Sequence, residues 1–355
     1  MEEPCTLQLY NNAIHWSIIF MLSFAILLIY LHFFLTTHIQ LIEVRDMLVI
    51  FLSFFYLFCF LLGMILLRTS LFKLSGGAME RLLRNMTSTP FLGFIAGIIL
   101  TAILQSSSAV MVITVGLVSA RIIRFSHSIG IILGTNVGTT ITLGLFTLDL
   151  KEFIVPIFII GFILFLIKQA KIKNIGLICM SIATIFTAMN GFETLAAPLT
   201  SINSIQNYIA GMKDQLLLPF FTGTIITSII QSSTVMTGIT MSLLQAQAFS
   251  LESGIAIMLG ANIGTCVTAL IASIGTSKEA KLTAYAHVWL NMIGAICFLP
   301  FATELAILSS FFSNGLDVQL AVISVLFNIA CSIFVLPFSK KYASLLMFIH
   351  RTKLD

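Results

Sequence analysis

The sequence predicts an all-α, polytopic membrane protein of eight spans plus two re-entrant helical hairpins, arranged as inverted-topology repeats. Three observations predict it. The 355 residues are 58% hydrophobic and 9% charged, with several apolar runs of about twenty residues, the length that crosses a bilayer core. A long polar-centred stretch also occurs twice without a gap. Gly97, Thr101, Gln105, Ser106, Ser107 and Thr114 fall on Gly223, Thr227, Gln231, Ser232, Ser233 and Thr240. The same register carries Gly134-Thr135-Asn136-Val137-Gly138-Thr139 onto Gly260-Ala261-Asn262-Ile263-Gly264-Thr265, the mark of an internal duplication around one shared site. Finally, once spans are drawn, the basic residues sort onto one side.

In chain order, Met1-Glu2-Glu3-Pro4 lacks the basic n-region and small-residue cleavage site of a signal peptide, so the first apolar run, Ile14 to Leu35, is expected to stay as a span. Further spans are predicted at 47 to 67, 128 to 147, 153 to 168, 175 to 190, 253 to 273, 282 to 303 and 318 to 338. Two more apolar stretches, 91 to 118 and 218 to 246, carry consecutive polar residues at their centres. A lipid-facing helix would not place Gln-Ser-Ser-Ser at mid-membrane, where each unsatisfied polar group costs several kcal/mol. They are therefore expected to be hairpins. Each half of roughly thirteen residues rises only about 20 Å, and the serines suit the N-cap of the returning half. The segments before them, Thr69 to Arg84 and Phe192 to Met212, mix apolar and polar residues and are expected along the interface.

If the hairpins do not cross, one side receives Arg68, Lys73, Arg81, Arg84, Arg121, Arg124, Lys168, Lys171, Lys173, Lys278, Lys281, Lys340, Lys341, Arg351 and Lys353, and the other only Arg45, Lys151 and Lys213. The positive-inside rule makes the rich side cytoplasmic, so both termini of this multi-pass protein of the cell membrane are expected in the cytoplasm. Counting one hairpin or both as crossings spoils the asymmetry. The resulting division is 1–46, an additional span and loop; 47–173, the first repeat; 174–304, the second; and 305–355, a final span and short tail. Three crossings per repeat turn the second copy upside down, the plan of many secondary transporters. The glycines around Asn136 and Asn262 suggest locally unwound helix with freed carbonyls.

Neither hairpin nor either Gly-x-Asn-x-Gly-Thr span carries Asp, Glu, Lys, Arg or His. The candidate site is polar and uncharged: Gln105, Ser106, Ser107, Ser108, Asn136, Thr139, Gln231, Ser232, Ser233, Thr234, Asn262 and Thr265. Its oxygens suit a hard cation such as sodium, with Gln105, Ser106, Gln231 and Ser232 the favoured ligands. Backbone N–H groups at half-helix N-termini suit an oxyanion. Each helix end offers only about half a unit charge. Without an arginine, a multiply charged anion should bind well only beside cations, which would couple the two ligands reciprocally.

The paired Gln-Ser-Ser-(Ser/Thr) motifs, each followed by Gly-x-Asn-(Val/Ile)-Gly-Thr, resemble the type II sodium-dependent phosphate cotransporters and their bacterial relatives over residues 47 to 338. The resemblance implies sodium-driven uptake of inorganic phosphate, with Gln105 to Ser108 and Gln231 to Thr234 around the ligands and no cofactor beyond transported sodium. Ala286-His287 through Leu290-Asn291 resembles a further family element, echoed at Phe327-Asn328 near Leu336-Pro337-Phe338. The sequence departs from the repeat pattern at Thr234 (Ser108 in the first copy), Cys266 (Thr140) and Ser324 (where His287 aligns). Some bacterial relatives carry a long soluble C-terminal domain; only about seventeen residues follow the last span here, so regulation through such a domain is not expected within this chain.

Other readings remain open at this level. His287 fits packing against Asn291 one turn away or a ligand or proton role. Arg121 and Arg124 fit topogenic anchors or an anion-attracting exit. The six scattered cysteines read as buried small residues, with disulfides the alternative. Expected partners are phosphate, sodium and the lipid bilayer, not nucleic acid, and a homo-oligomer is compatible with the sequence. Another small oxyanion could replace phosphate. An intramembrane serine enzyme would need a base, for which His287 alone is near, and neither serine sits in a Gly-x-Ser-x-Gly elbow. A channel or phosphate-sensing scaffold is the third class.

Overall fold

The computed structural model describes residues 42–75 and 89–351. The expected first span at 14 to 35, together with Arg81, Arg84, Lys353 and most of the segment Thr69 to Arg84, lies outside them. The chain divides into a unit ending at Leu52 and a unit from Ser53 onward. In the first, the described part is the start of helix α1, Ile42–Ser75. All that follows belongs to the second.

The described residues are helical, with no strand among them. Six stretches are long and apolar enough to cross a membrane: Val44–Leu74, Phe125–Phe146, Ala170–Thr200, Leu251–Ala272, Lys278–Ser310 and Leu316–Ile349. The expected span at 153 to 168 holds helix α5, Ile154–Phe165, of 12 residues, led by a 3₁₀ turn at Lys151–Phe153. It stops at Leu166 and turns back at once into α6, Ala170–Thr200. The two helices close on each other at glycine, since a Cβ on Gly176 would lie 2.5 Å from the Phe165 backbone nitrogen. The segment Phe192 to Met212 differs from expectation. Phe192 to Thr200 simply continues α6, and only α7, Asn203–Asp214, is separate.

Each polar-centred stretch forms a pair of short helices. In the first, α2 is Pro90–Leu104, started by Pro90 at its head and by Thr89, whose hydroxyl accepts from the Leu92 N–H. It ends at Gln105, left-handed at φ 51°, and α3, Ser107–Ser119, begins at once with Ser106 as N-cap. The second copies it: α8, Leu217–Ile230, ends at Gln231 with φ 58°, and α9, Ser233–Gln245, starts from N-cap Ser232. A left-handed non-glycine residue costs roughly 1–2 kcal/mol, so both turns are held by bonds to their surroundings.

The two motif-bearing spans are α4, Phe125–Phe146, and the pair α10, Leu251–Gly264, and α11, Cys266–Ala272. Helix α4 runs unbroken through Asn136. The second span is interrupted only at Thr265, whose φ −63° and ψ −25° are still helical. The expected unwinding is therefore absent, and the glycines serve another purpose. A Cβ on Gly134 would lie 2.1 Å from the Phe94 carbonyl oxygen, and one on Gly260 2.0 Å from that of Phe220. These residues let each first half-helix lie backbone to backbone on its span.

The chain closes with two successive helix, 3₁₀, helix units: α12 (Lys278–Phe298), Leu299–Phe301 and α13 (Ala302–Ser310), then α14 (Leu316–Val335), Leu336–Phe338 and α15 (Ser339–Ile349). The faint sequence echo between them is thus also a structural one. The largest apolar core gathers α1, α4, α6, α9, α10 and α14, with Phe146 edge-on to both Phe60 and Phe186.

Candidate functional site

The duplicated motifs meet at a cavity. Seven of the twelve expected site residues line it: Ser107, Asn136 and Thr139 from the first copy, and Ser233, Thr234, Asn262 and Thr265 from the second. Leu143 and Thr237 add to the wall. So do His287 and Asn291 of α12, and Ser324 and Asn328 of α14, the residues at corresponding places in the two echoing units. The space is about 10 Å³, enough for about one water-sized particle.

The remaining five residues build the hairpin tips behind that wall. Ser106 Oγ accepts from the Ala109 N–H at 3.2 Å and Ser232 Oγ from the Val235 N–H at 3.4 Å. The tips are pinned to their own spans in the same way in both copies. Thr142 Oγ1 donates to Gln105 Oε1 at 2.6 Å, and Thr268 Oγ1 to Gln231 Oε1 at 3.4 Å. Thr142 and Thr268 were not singled out from sequence, although the repeat register that aligns the glutamines also aligns them. Ser108 Oγ reaches across to the Gln231 carbonyl at 3.4 Å, joining one hairpin to the other.

The two halves depart from symmetry inside the cavity. Thr139 Oγ1 turns back to the Thr135 carbonyl at 2.8 Å and Thr265 Oγ1 to the Ala261 carbonyl at 3.0 Å, but Thr265 Oγ1 also accepts from the Ser233 N–H at 3.1 Å. Asn136 Nδ2 donates to Asn291 Oδ1 at 3.2 Å, and Asn291 Nδ2 to the His287 carbonyl at 3.0 Å. Asn328 makes the matching bond to the Ser324 carbonyl at 2.8 Å. His287 therefore meets Asn291 through its backbone. Its Nδ1 is buried and has no hydrogen-bond partner among the described residues, in the wall of a polar cavity.

One expectation is corrected. The site is not remote from every charge, because Arg68 of α1 reaches the tips: Nε donates to the Gln105 carbonyl at 2.9 Å and Nη2 to Ser232 Oγ at 3.2 Å. Arg68 counts among the topology-setting cations in the sequence. The position aligned with it in the second copy is Thr194, so the repeat register gives no sign of it. Among the described residues no group of three His, Cys, Asp or Glu could hold a metal ion. The oxygens present are hydroxyl, amide and carbonyl, the set that suits a hard monovalent cation or, at helix N-termini, an anion.

The family model for Na+/Pi-cotransporters matches two successive segments, residues 59–194 and 197–342. The uncharacterized protein YqeW of Bacillus subtilis is 35% identical over 287 residues, 81% of this chain and 94% of its own. YjbB of Salmonella typhimurium, named for a proposed export of inorganic phosphate, is 25% identical over 282 residues; the chain spans 52% of its length. Sodium-dependent phosphate transport protein 2A of Ovis aries is 37% identical over 94 residues, 26% of this chain and 14% of its own. No solved structure matches. With a duplicated motif around one cavity, six apolar helices among the described residues long enough to span a bilayer, and a family match over most of its length, the chain is an integral membrane protein that belongs to the Na+/Pi-cotransporter family.

Proposed function

We propose that the protein is a secondary transporter that couples inward sodium movement to uptake of inorganic phosphate by alternating access. The proposal includes repeats at 47–173 and 174–304 inserted with opposite topology, hairpins that re-enter the bilayer of the cell membrane, and cytoplasmic termini. The observation that carries it is the cavity at which Ser107 of one hairpin meets Ser233 and Thr234 of the other, flanked by Asn136 and Asn262.

Such a site can hold an anion and a cation together. Two helix N-termini, α3 and α9, offer about half a positive charge each to an oxyanion, the Ser233 N–H of α9 being held by Thr265 Oγ1 until an anion displaces it. Hydroxyl and amide oxygens of the same residues can take sodium, with Gln105, Ser106, Gln231 and Ser232 as the proposed ligands. Each ion then raises the affinity for the other by the same factor. The long Ser108–Gln231 contact joins the two hairpins, and alternating access would part it.

Substitution Gln105→Ala or Gln231→Ala removes the acceptor of Thr142 or Thr268 together with a proposed sodium ligand. Each variant is expected to insert and purify normally and to lose sodium-dependent uptake of radiolabelled phosphate in proteoliposomes. Full uptake by both would end the site assignment. The name of YjbB favours a second reading, export. Oriented vesicles with phosphate and sodium gradients of either sign separate the two.

A further inference from the structure

We propose that Arg68 is an anion-recognising, specificity-determining side chain of this transporter, trading its present neutral acceptors for oxygens of the bound oxyanion. The inference rests on the transport reading above but adds a residue and a charge that the duplicated motifs do not contain.

Arg68 lies within the apolar stretch Val44–Leu74, where a charged side chain is expensive and is retained for a use. It is half-buried, and its two hydrogen bonds end on a carbonyl and a hydroxyl. Arg45–Asp46 and Lys151–Glu193 are ion pairs among the described residues, whereas the partners of Arg68 there are a carbonyl and a hydroxyl and not a carboxylate. A guanidinium has five N–H donors in a planar fork that matches two oxygens of a phosphate, and charge-assisted bonds are about twice as strong as neutral ones. Its present partners are therefore the kind that an oxyanion displaces.

Its location gives that exchange a target. Gln105 stands two residues before Ser107, and Ser232 immediately before Ser233 and Thr234, all three of which line the cavity. An anion seated on the N-termini of α3 and α9 therefore sits within a residue or two of both atoms that Arg68 now holds. The charge also comes from one copy only. Thr194, aligned with Arg68, bonds back to the Asn190 carbonyl at 2.8 Å and brings no charge. A full positive charge at the tips changes the coupling: the anion gains a counter-charge before any sodium arrives, and affinity for it without sodium should be measurable.

The test uses the full chain in lipid nanodiscs, with equilibrium binding of radiolabelled phosphate in sodium and in potassium, and uptake kinetics in parallel. Wild type is expected to bind phosphate measurably in potassium and more tightly in sodium. Arg68→Gln should weaken phosphate binding at least tenfold in both salts and raise the KM for phosphate more than it lowers Vmax. Arg68→Lys, which keeps the charge, should recover part of the affinity. The proposal is overturned if Arg68→Gln binds phosphate like wild type, or if Arg68→Lys and Arg68→Gln lose thermal stability and Vmax together with KM unchanged, the sign of a structural clamp only. Failure of sodium-dependent uptake by wild type with intact Arg68-dependent phosphate binding would instead remove the coupling reading and leave this one standing. If wild type binds no phosphate, sulfate or arsenate in either salt, both fall.

Discussion

Replacing Gly134 by alanine separates close helix packing from local unwinding as the reason for the motif glycines. The added Cβ would stand 2.1 Å from the Phe94 carbonyl oxygen, against an ordinary carbon–oxygen contact of about 3.3–3.6 Å. The shortfall is therefore more than about 1 Å, and both sides are helix backbone, so no side chain can swing aside. Relief requires α2 to move off α4, and Gln105 at the end of α2 would be carried away from its 2.6 Å bond with Thr142. Overpacking of this kind costs typically 1–3 kcal/mol, and a clash between two helix backbones falls toward the upper end, beyond the roughly 1 kcal/mol that alanine gains over glycine in a helix. Gly144 lies on the same helix with nothing within 4 Å of its Cβ position, so Gly144→Ala carries the gain without the cost. With about 2–4 °C per kcal/mol for a mid-sized domain, thermal unfolding in detergent, followed by size-exclusion of the surviving fraction, should put Gly134→Ala several degrees below wild type. Gly144→Ala should sit at or slightly above it. Gly260→Ala, 2.0 Å from the Phe220 carbonyl, should repeat the Gly134 result. A Gly134→Ala protein as stable as wild type would refute the packing argument.

Thr142→Val leaves the buried Gln105 Oε1 without its donor, at a cost of about 1–3 kcal/mol, read as a lowered unfolding temperature and impaired uptake; Thr268→Val, whose bond is longer, should be milder. Equal or inverted severity would contradict the geometry of the tips. Tyr342→Phe removes the 3.0 Å bond to the Ala286 carbonyl, which ties α15 back to α12. It should cost about 0.5–1.5 kcal/mol, visible in thermal stability and absent from the KM for phosphate.

The duplicated register could be read from the sequence because it survives as paired geometry: Gln105 with Thr142, and Gln231 with Thr268, each glutamine left-handed and each followed by a capping serine. Serine after an apolar run names a helix start for a local physical reason, the orphan amides of the first turn. The glycines were misread because a missing Cβ serves unwinding and close approach alike. Only the partner, Phe94 or Phe220, distinguishes the two. Arg68 was hidden because one cation at a span end looks the same whether it anchors topology or folds inward to a hairpin tip. The apolar run behind α5 was legible, and only its C-terminal end, set by the turn at Lys168 and Gln169, was not. Ser324 and Asn328 stood in a weak echo, and their place in the cavity depends on how α14 packs.

The most direct measurement of the central claim is phosphate flux in proteoliposomes of purified protein, with an inward sodium gradient and, in parallel, potassium in its place. The account predicts saturable uptake that requires sodium and carries phosphate above its equilibrium distribution. Equal flux under sodium and potassium, or flux that equilibrates phosphate without ever concentrating it, from protein shown to be folded, would contradict it.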